Sequence, residues 1–133
     1  MRITLDTGKD PMGAAIAEYY AKGRAARLRV FSSQFYEDEI PVDTLFRTLE
    51  DMPTQEQEAL RLCRGRVLDV GAGSGCHSME LMNRGMDVMA IDISTLSVDV
   101  ENKNNRQRSK ACQWFCVKAG RIRTCALLMR RLP

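Results

Sequence analysis

The sequence predicts an α/β protein, with a helical segment over residues 1–64 followed by a small parallel sheet over residues 65–118. Two short runs, RVLDV at 66–70 and DVMAI at 87–91, are too apolar to be strands with one face in water. Between them the glycine-rich turn GAGSG at 71–75 runs into a helical stripe of Cys76, Met79 and Met82, which Gly85 stops. Strand, turn, helix and strand in that order make one βαβ unit with both strands buried.

The residues before Arg66 carry helix signals. Asp10 reads as an N-cap with Pro11 at the first helical position, and Met12, Ala15, Ile16, Tyr19 and Tyr20 then recur on one face until Gly23. Residues 27–41 show no period and read as loop or short turns. Pro41 and Asp43 introduce a second stripe of Leu45, Phe46, Leu49 and Met52. Thr54 and Gln57 have capping-box spacing for a third helix through Ala59, Leu60 and Cys63, closed by Gly65. After the second strand, Ser94 is placed to cap a helix. Residues 111–117, ACQWFCV, are the one further strand, and residues 119–133 read as an irregular basic tail.

With 133 residues the chain is long enough for one domain with a core. It contains no apolar run of the ~20 residues that span a bilayer. Its start, MRITLDTGKD, lacks the apolar centre of a secretory signal, so a cytoplasmic protein is expected. Five cysteines, at 63, 76, 112, 116 and 125, then read as free thiols. With His77 as the sole histidine and no CxxC, no metal site is expected. The net charge of +3 is uneven: residues 1–100 hold 11 Lys/Arg against 16 Asp/Glu, whereas residues 101–133 hold 9 against the single acid Glu101. Such a tail, with Trp114 and Phe115, suits phosphate backbones and bases, but a solvated tail is the plainer reading and a nucleic-acid partner is not expected.

The turn is the chemically informative stretch. A strand that turns directly into a helix leaves backbone N–H groups at the helix start, and Gly71, Gly73 and Gly75 remove the β-carbons that would hold a ligand off. A dinucleotide fingerprint needs G-x-G-x-x-G, and here Cys76 stands at its last position. Asp69, two residues before Gly71, would repel a pyrophosphate and suits a cationic ligand. Asp92 ends the second strand, where a carboxylate grips ribose hydroxyls. A ribose-bearing, positively charged ligand without a pyrophosphate fits all of this. His77, in the first turn of its helix, reads as structural. Tyr19 and Tyr20 read as packing residues, and Met79, Met82 and Met89 as core.

LDVGAGSG at 68–75 and VMAIDIS at 88–94 resemble the first motif and the acidic second-strand motif of the class I S-adenosylmethionine-dependent methyltransferases. The resemblance implies a partial Rossmann-like sheet and the cofactor S-adenosyl-L-methionine. It implies that Asp69, Gly71, Ala72, Gly73 and Gly75 surround the cofactor's methionine part, that Asp92 holds its ribose, and that Ile93 lies near its adenine. It also implies a small-molecule methyl acceptor, with residues 1–64 as a lid. No catalytic base is assigned.

The family's sheet has more strands than this sequence supplies, and its acid after the third strand has no counterpart here. A truncated chain is therefore expected, with a frame shift near residue 100 as the leading cause, and with it an unpaired edge on strand 66–70 that invites self-association. A nucleotide-binding oxidoreductase module and an RNA-interaction protein acting through residues 101–133 are the alternative readings.

Overall fold

Asp10 starts the first helix, α1 (Pro11–Lys22), because its carboxylate accepts from the Gly13 N–H at 2.8 Å while Pro11 has no N–H to satisfy. Gly23, left-handed at φ +69°, ends it and donates its N–H to Tyr19 O. Ala15 and Ile16 are buried, and Tyr19 stacks on Phe46 with ring centroids 4.8 Å apart. Met12, expected on the same face, is exposed, and Gly13 is buried in its place. The reason is the neighbour: α1 lies against a later helix at its glycine, so the buried face is rotated away from Met12. In this computed structural model, residues 6–24, 27–108 and 113–116 are described, with 105–108 and 113–116 by backbone alone.

Two expectations for the N-terminal part change. Residues 28–40 are not loop or short turns. β1 (Leu28–Val30) and β2 (Asp38–Ile40) form an antiparallel hairpin with Leu28 opposite Ile40. Each strand buries only one residue, and that one partly, so no apolar alternation marks it. The backbone ladder joins the strands, and exposed ion pairs of Arg27 with Glu39 and Arg29 with Glu37 lie across it. The stripe from Leu45 to Met52 is not one helix but two 3-10 turns, Val42–Phe46 and Leu49–Asp51, parted by extended backbone at Arg47 and Thr48. Thr48 and Asp51 form a capping box there, so the chain restarts where a helix would have continued.

Pro53, not Thr54, caps α2 (Thr54–Leu62), since Gln57 turns its amide to Met52 O at 2.8 Å rather than completing a capping box.

The remainder alternates: β3 (Arg66–Val70), α3 (Cys76–Asn83), β4 (Asp87–Asp92), α4 (Thr95–Arg108) and β5 (Gln113–Cys116). The three strands are parallel in the order β3-β4-β5, with Asp69 beside Ala90 and Ala90 beside Trp114. Ser94 caps α4 as expected, accepting from the Ser97 N–H at 3.0 Å. Leu60, Leu81 and Ala90 are wholly buried, and with Val67, Met82, Val88 and Val98 they form the core. Met82 lies in it, Met79 packs against it partly buried, and Met89 is half-buried. Leu68, Asp69 and Val70 are also only half-buried, because β3 is the outer strand among the described residues.

Candidate cofactor site

At the end of β3 the backbone folds back on β4. Gly71 N and Ala72 N both donate to Ile91 O, at 2.8 and 3.2 Å. Gly73 N donates to Asp92 Oδ2 at 2.8 Å, and Gly75 N donates to Ala72 O at 2.8 Å. The three glycines sit at φ +76°, +61° and +82°, where a side chain would be strained. A β-carbon on Gly71 would meet no atom within 4 Å, so its backbone borders open space. The sequence suggested N–H groups free for a ligand. In the structure those of Gly71, Ala72, Gly73 and Gly75 all donate inward. A turn with its amides so committed is a poor cradle for a pyrophosphate, which needs them. It still offers a surface that a ligand can approach closely.

Two acids frame the turn. Asp92 Oδ2 accepts from Gly73 N and its Oδ1 from Ser94 N at 2.8 Å, so one lone pair on each oxygen is taken by backbone and one remains. Asp69 Oδ2 accepts from the hydroxyl of the fully buried Ser78 at 2.6 Å, which fixes the carboxylate against α3. Ile93, beside Asp92, is exposed. Ala72 contributes backbone only, since its side chain lies in the core.

A third acid faces this pair. Glu101 on α4 is 1% exposed, and among the described residues neither carboxyl oxygen has a hydrogen-bond partner. Burial above all, then the negative charges of Asp92 and Asp69, pushes its carboxyl up to about 9, so it is uncharged at neutral pH.

His77 is tied down rather than open. Its Nε2 lies 2.8 Å from Glu56 Oε2, and Glu56 also pairs with Arg47. The bond with Cys76, then that with Glu56, outweighs burial and lifts the imidazole to about 9, so the ring is charged. Burial pushes the Glu56 carboxyl up, but the bonds from His77 and Arg47 outweigh it and leave it below the usual range. This pins the start of α3 to α2, the structural role expected of His77. Beside it a cavity of about 250 Å³, lined by Phe46, Arg47, Leu49, Ser74, Cys76 and Met79 among others, lies on the helix side of the turn.

The structure thus bonds Gly73 to Asp92 directly, Gly71 and Ala72 to Ile91 on the same strand, and Gly75 to Ala72, with Ile93 adjoining. Asp69 stands one strand over. Sequence reading missed Ser78, the buried state of Glu101, and the bond from Ser94 Oγ to Asp10 Oδ2 at 2.5 Å. The last had a faint signal in Gly13, an unexplained glycine inside a helix.

A family model described as a methyltransferase domain matches residues 68–124. A solved S-adenosylmethionine-dependent methyltransferase from Bacteroides fragilis, in complex with S-adenosyl-L-homocysteine, is 51% identical and superposes with a TM-score of 0.77 over 86% of this chain. The chain carries a class I S-adenosylmethionine-dependent methyltransferase fold. The biotin biosynthesis bifunctional protein BioHC of Cellvibrio japonicus (strain Ueda107) is 36% identical over 56 residues, 42% of this chain. The chain spans 46% of the Bacteroides protein and 11% of BioHC. The methyltransferase match runs past Glu101, so it does not stop where the acids do. Among the described residues no helix is long and apolar enough to cross a membrane, and no group of His, Cys, Asp or Glu is arranged to hold a metal.

Proposed function

We propose that the chain binds S-adenosyl-L-methionine at the Gly71–Gly75 turn and serves methyl transfer to a small-molecule acceptor in the cytoplasm. The observation that carries this is the turn itself: the amides of Gly71, Ala72, Gly73 and Gly75 are spent inward, the Gly71 backbone borders open space, and two carboxylates frame the turn. A sulfonium-bearing nucleoside fits such a site and a diphosphate does not. The likeness to the Bacteroides protein, solved with S-adenosyl-L-homocysteine, supports the same reading.

In this reading the remaining lone pairs of Asp92 take the ribose hydroxyls, and Ile93 offers its exposed side chain to the adenine. Asp69 with Gly71, Ala72, Gly73 and Gly75 borders the methionine part. The cofactor supplies a methyl group already activated on sulfur. The chain's own part is to bind, orient and exclude water. Residues 1–64 form the cover and residues 65–118 the binding unit, joined where Ser74 Oγ donates to Leu45 O. A general base is needed only for an acceptor that holds a proton on its reacting atom.

Replacing Asp92 with Ala tests the assignment. Titration calorimetry with S-adenosyl-L-homocysteine should show binding weakened by about 1–3 kcal/mol through the lost charged hydrogen bonds. Undiminished affinity in a folded Asp92→Ala protein would remove Asp92 from the site.

A further inference from the structure

We propose that Asp10 is a positioning residue for Asp92, acting through Ser94, so that the N-terminal helix sets the geometry of the ribose-binding carboxylate. This rests on the cofactor reading above. The link is a continuous run of hydrogen bonds. Gly13 N donates to Asp10 Oδ1 at 2.8 Å, and Ser94 Oγ donates to Asp10 Oδ2 at 2.5 Å. Ser94 N then donates to Asp92 Oδ1, and Gly73 N to Asp92 Oδ2, each at 2.8 Å. The path joins Asp10, the cap of α1, to the glycine turn across the start of α4.

Helix capping alone does not require this link. Asp10 caps α1 with one oxygen, and Ser94 caps α4 by accepting from Ser97 N. The bond between the two caps is additional, and it needs the helix starts to meet closely. Asp10 is 2% exposed and Ser94 is 4% exposed. A β-carbon at residue 13 would lie 2.2 Å from both Asp10 Oδ2 and Ser94 Oγ, so glycine is the residue that permits the contact. The N-terminal ends of α1 and α4 also converge on this one buried carboxylate. Ser94 is consequently fixed at both its hydroxyl and its backbone. Its N–H in turn aims one oxygen of Asp92, leaving the outer lone pairs directed for a vicinal diol.

The prediction concerns the ribose specifically. Binding of S-adenosyl-L-homocysteine and of its 2′,3′-dideoxy analogue is measured by calorimetry on the full chain and on Asp10→Ala, Ser94→Ala, the double variant and Asp10→Asn, with thermal melting of each. Each single Ala variant should weaken S-adenosyl-L-homocysteine about tenfold, the double variant no further, and neither should change the dideoxy analogue. Asp10→Asn keeps an acceptor for Gly13 N and a polar partner for Ser94, so it should stay within about threefold of wild type. Ser94→Ala and Asp10→Asn keep the test alive where Asp10→Ala does not fold. Equal weakening of both ligands, or no weakening in variants that melt normally, overturns the proposal. If the wild-type chain ignores S-adenosyl-L-homocysteine, the cofactor reading itself has failed and this proposal falls with it.

Discussion

Glu101 is the residue most at odds with its surroundings: a buried carboxyl with no hydrogen-bond partner among the described residues, facing Asp92 and Asp69. A folded value of about 9 against an ordinary 4.5 means the native state takes up a proton that the unfolded chain has released. The stability that goes with the protonated form is complete below about 4.5 and is lost as pH rises toward 9. Glu101→Gln keeps the buried polar group and removes the ionisation. Denaturant unfolding should give equal stability for the two proteins near pH 4.5, and by pH 7 the Gln variant should be ahead on the order of 3 kcal/mol. A pH-independent difference would show that Glu101 does not titrate between these states. At this scale the sequence was legible where a residue's place and backbone conformation follow from its neighbours along the chain. Asp92 at a strand end and the glycines at positive φ are such cases. Glu101 was visible only as the last acid before a basic stretch, because its burial depends on packing that no local pattern records. The pairing of Asp10 with Ser94, 84 residues apart, was invisible for the same reason.

The elements divide in the same way. β3, α3 and β4 were readable because burial stamps a period on their side chains, and the expected strand at 111–117 contains β5 (Gln113–Cys116). β1 and β2 bury almost nothing, so they pair through the backbone alone and no period marks them. The two 3-10 turns share an apolar stripe with a helix, and only the capping box at Thr48 betrays the restart. The contact between α1 and α4 can be tested directly. Gly13→Ala should improve helix propensity by about 1 kcal/mol. Against this stands a β-carbon driven into two buried, hydrogen-bonded oxygens. The steric cost should win, with a net loss of about 1–3 kcal/mol and a lower melting temperature. A Gly13→Ala protein as stable as wild type would show that the helix starts can part at little cost.

Over the whole molecule, charge and sheet edge point to different behaviour. The net charge of +3 weakly repels other copies, but β3 presents the outer edge of the described sheet with half-buried Leu68 and Val70 beside it. An apolar edge pairs through backbone bonds, which salt weakens little. Sedimentation velocity should show association that grows with concentration and persists in high salt. A monomer at every concentration would mean that the edge is covered. The central claim is one of electrostatic fit, and parallel calorimetric titrations of the full chain with S-adenosyl-L-methionine, which carries the sulfonium charge, and with NAD test it most directly. The account predicts saturable binding of the first and none of the second. Tight binding of NAD with no response to S-adenosyl-L-methionine would contradict it.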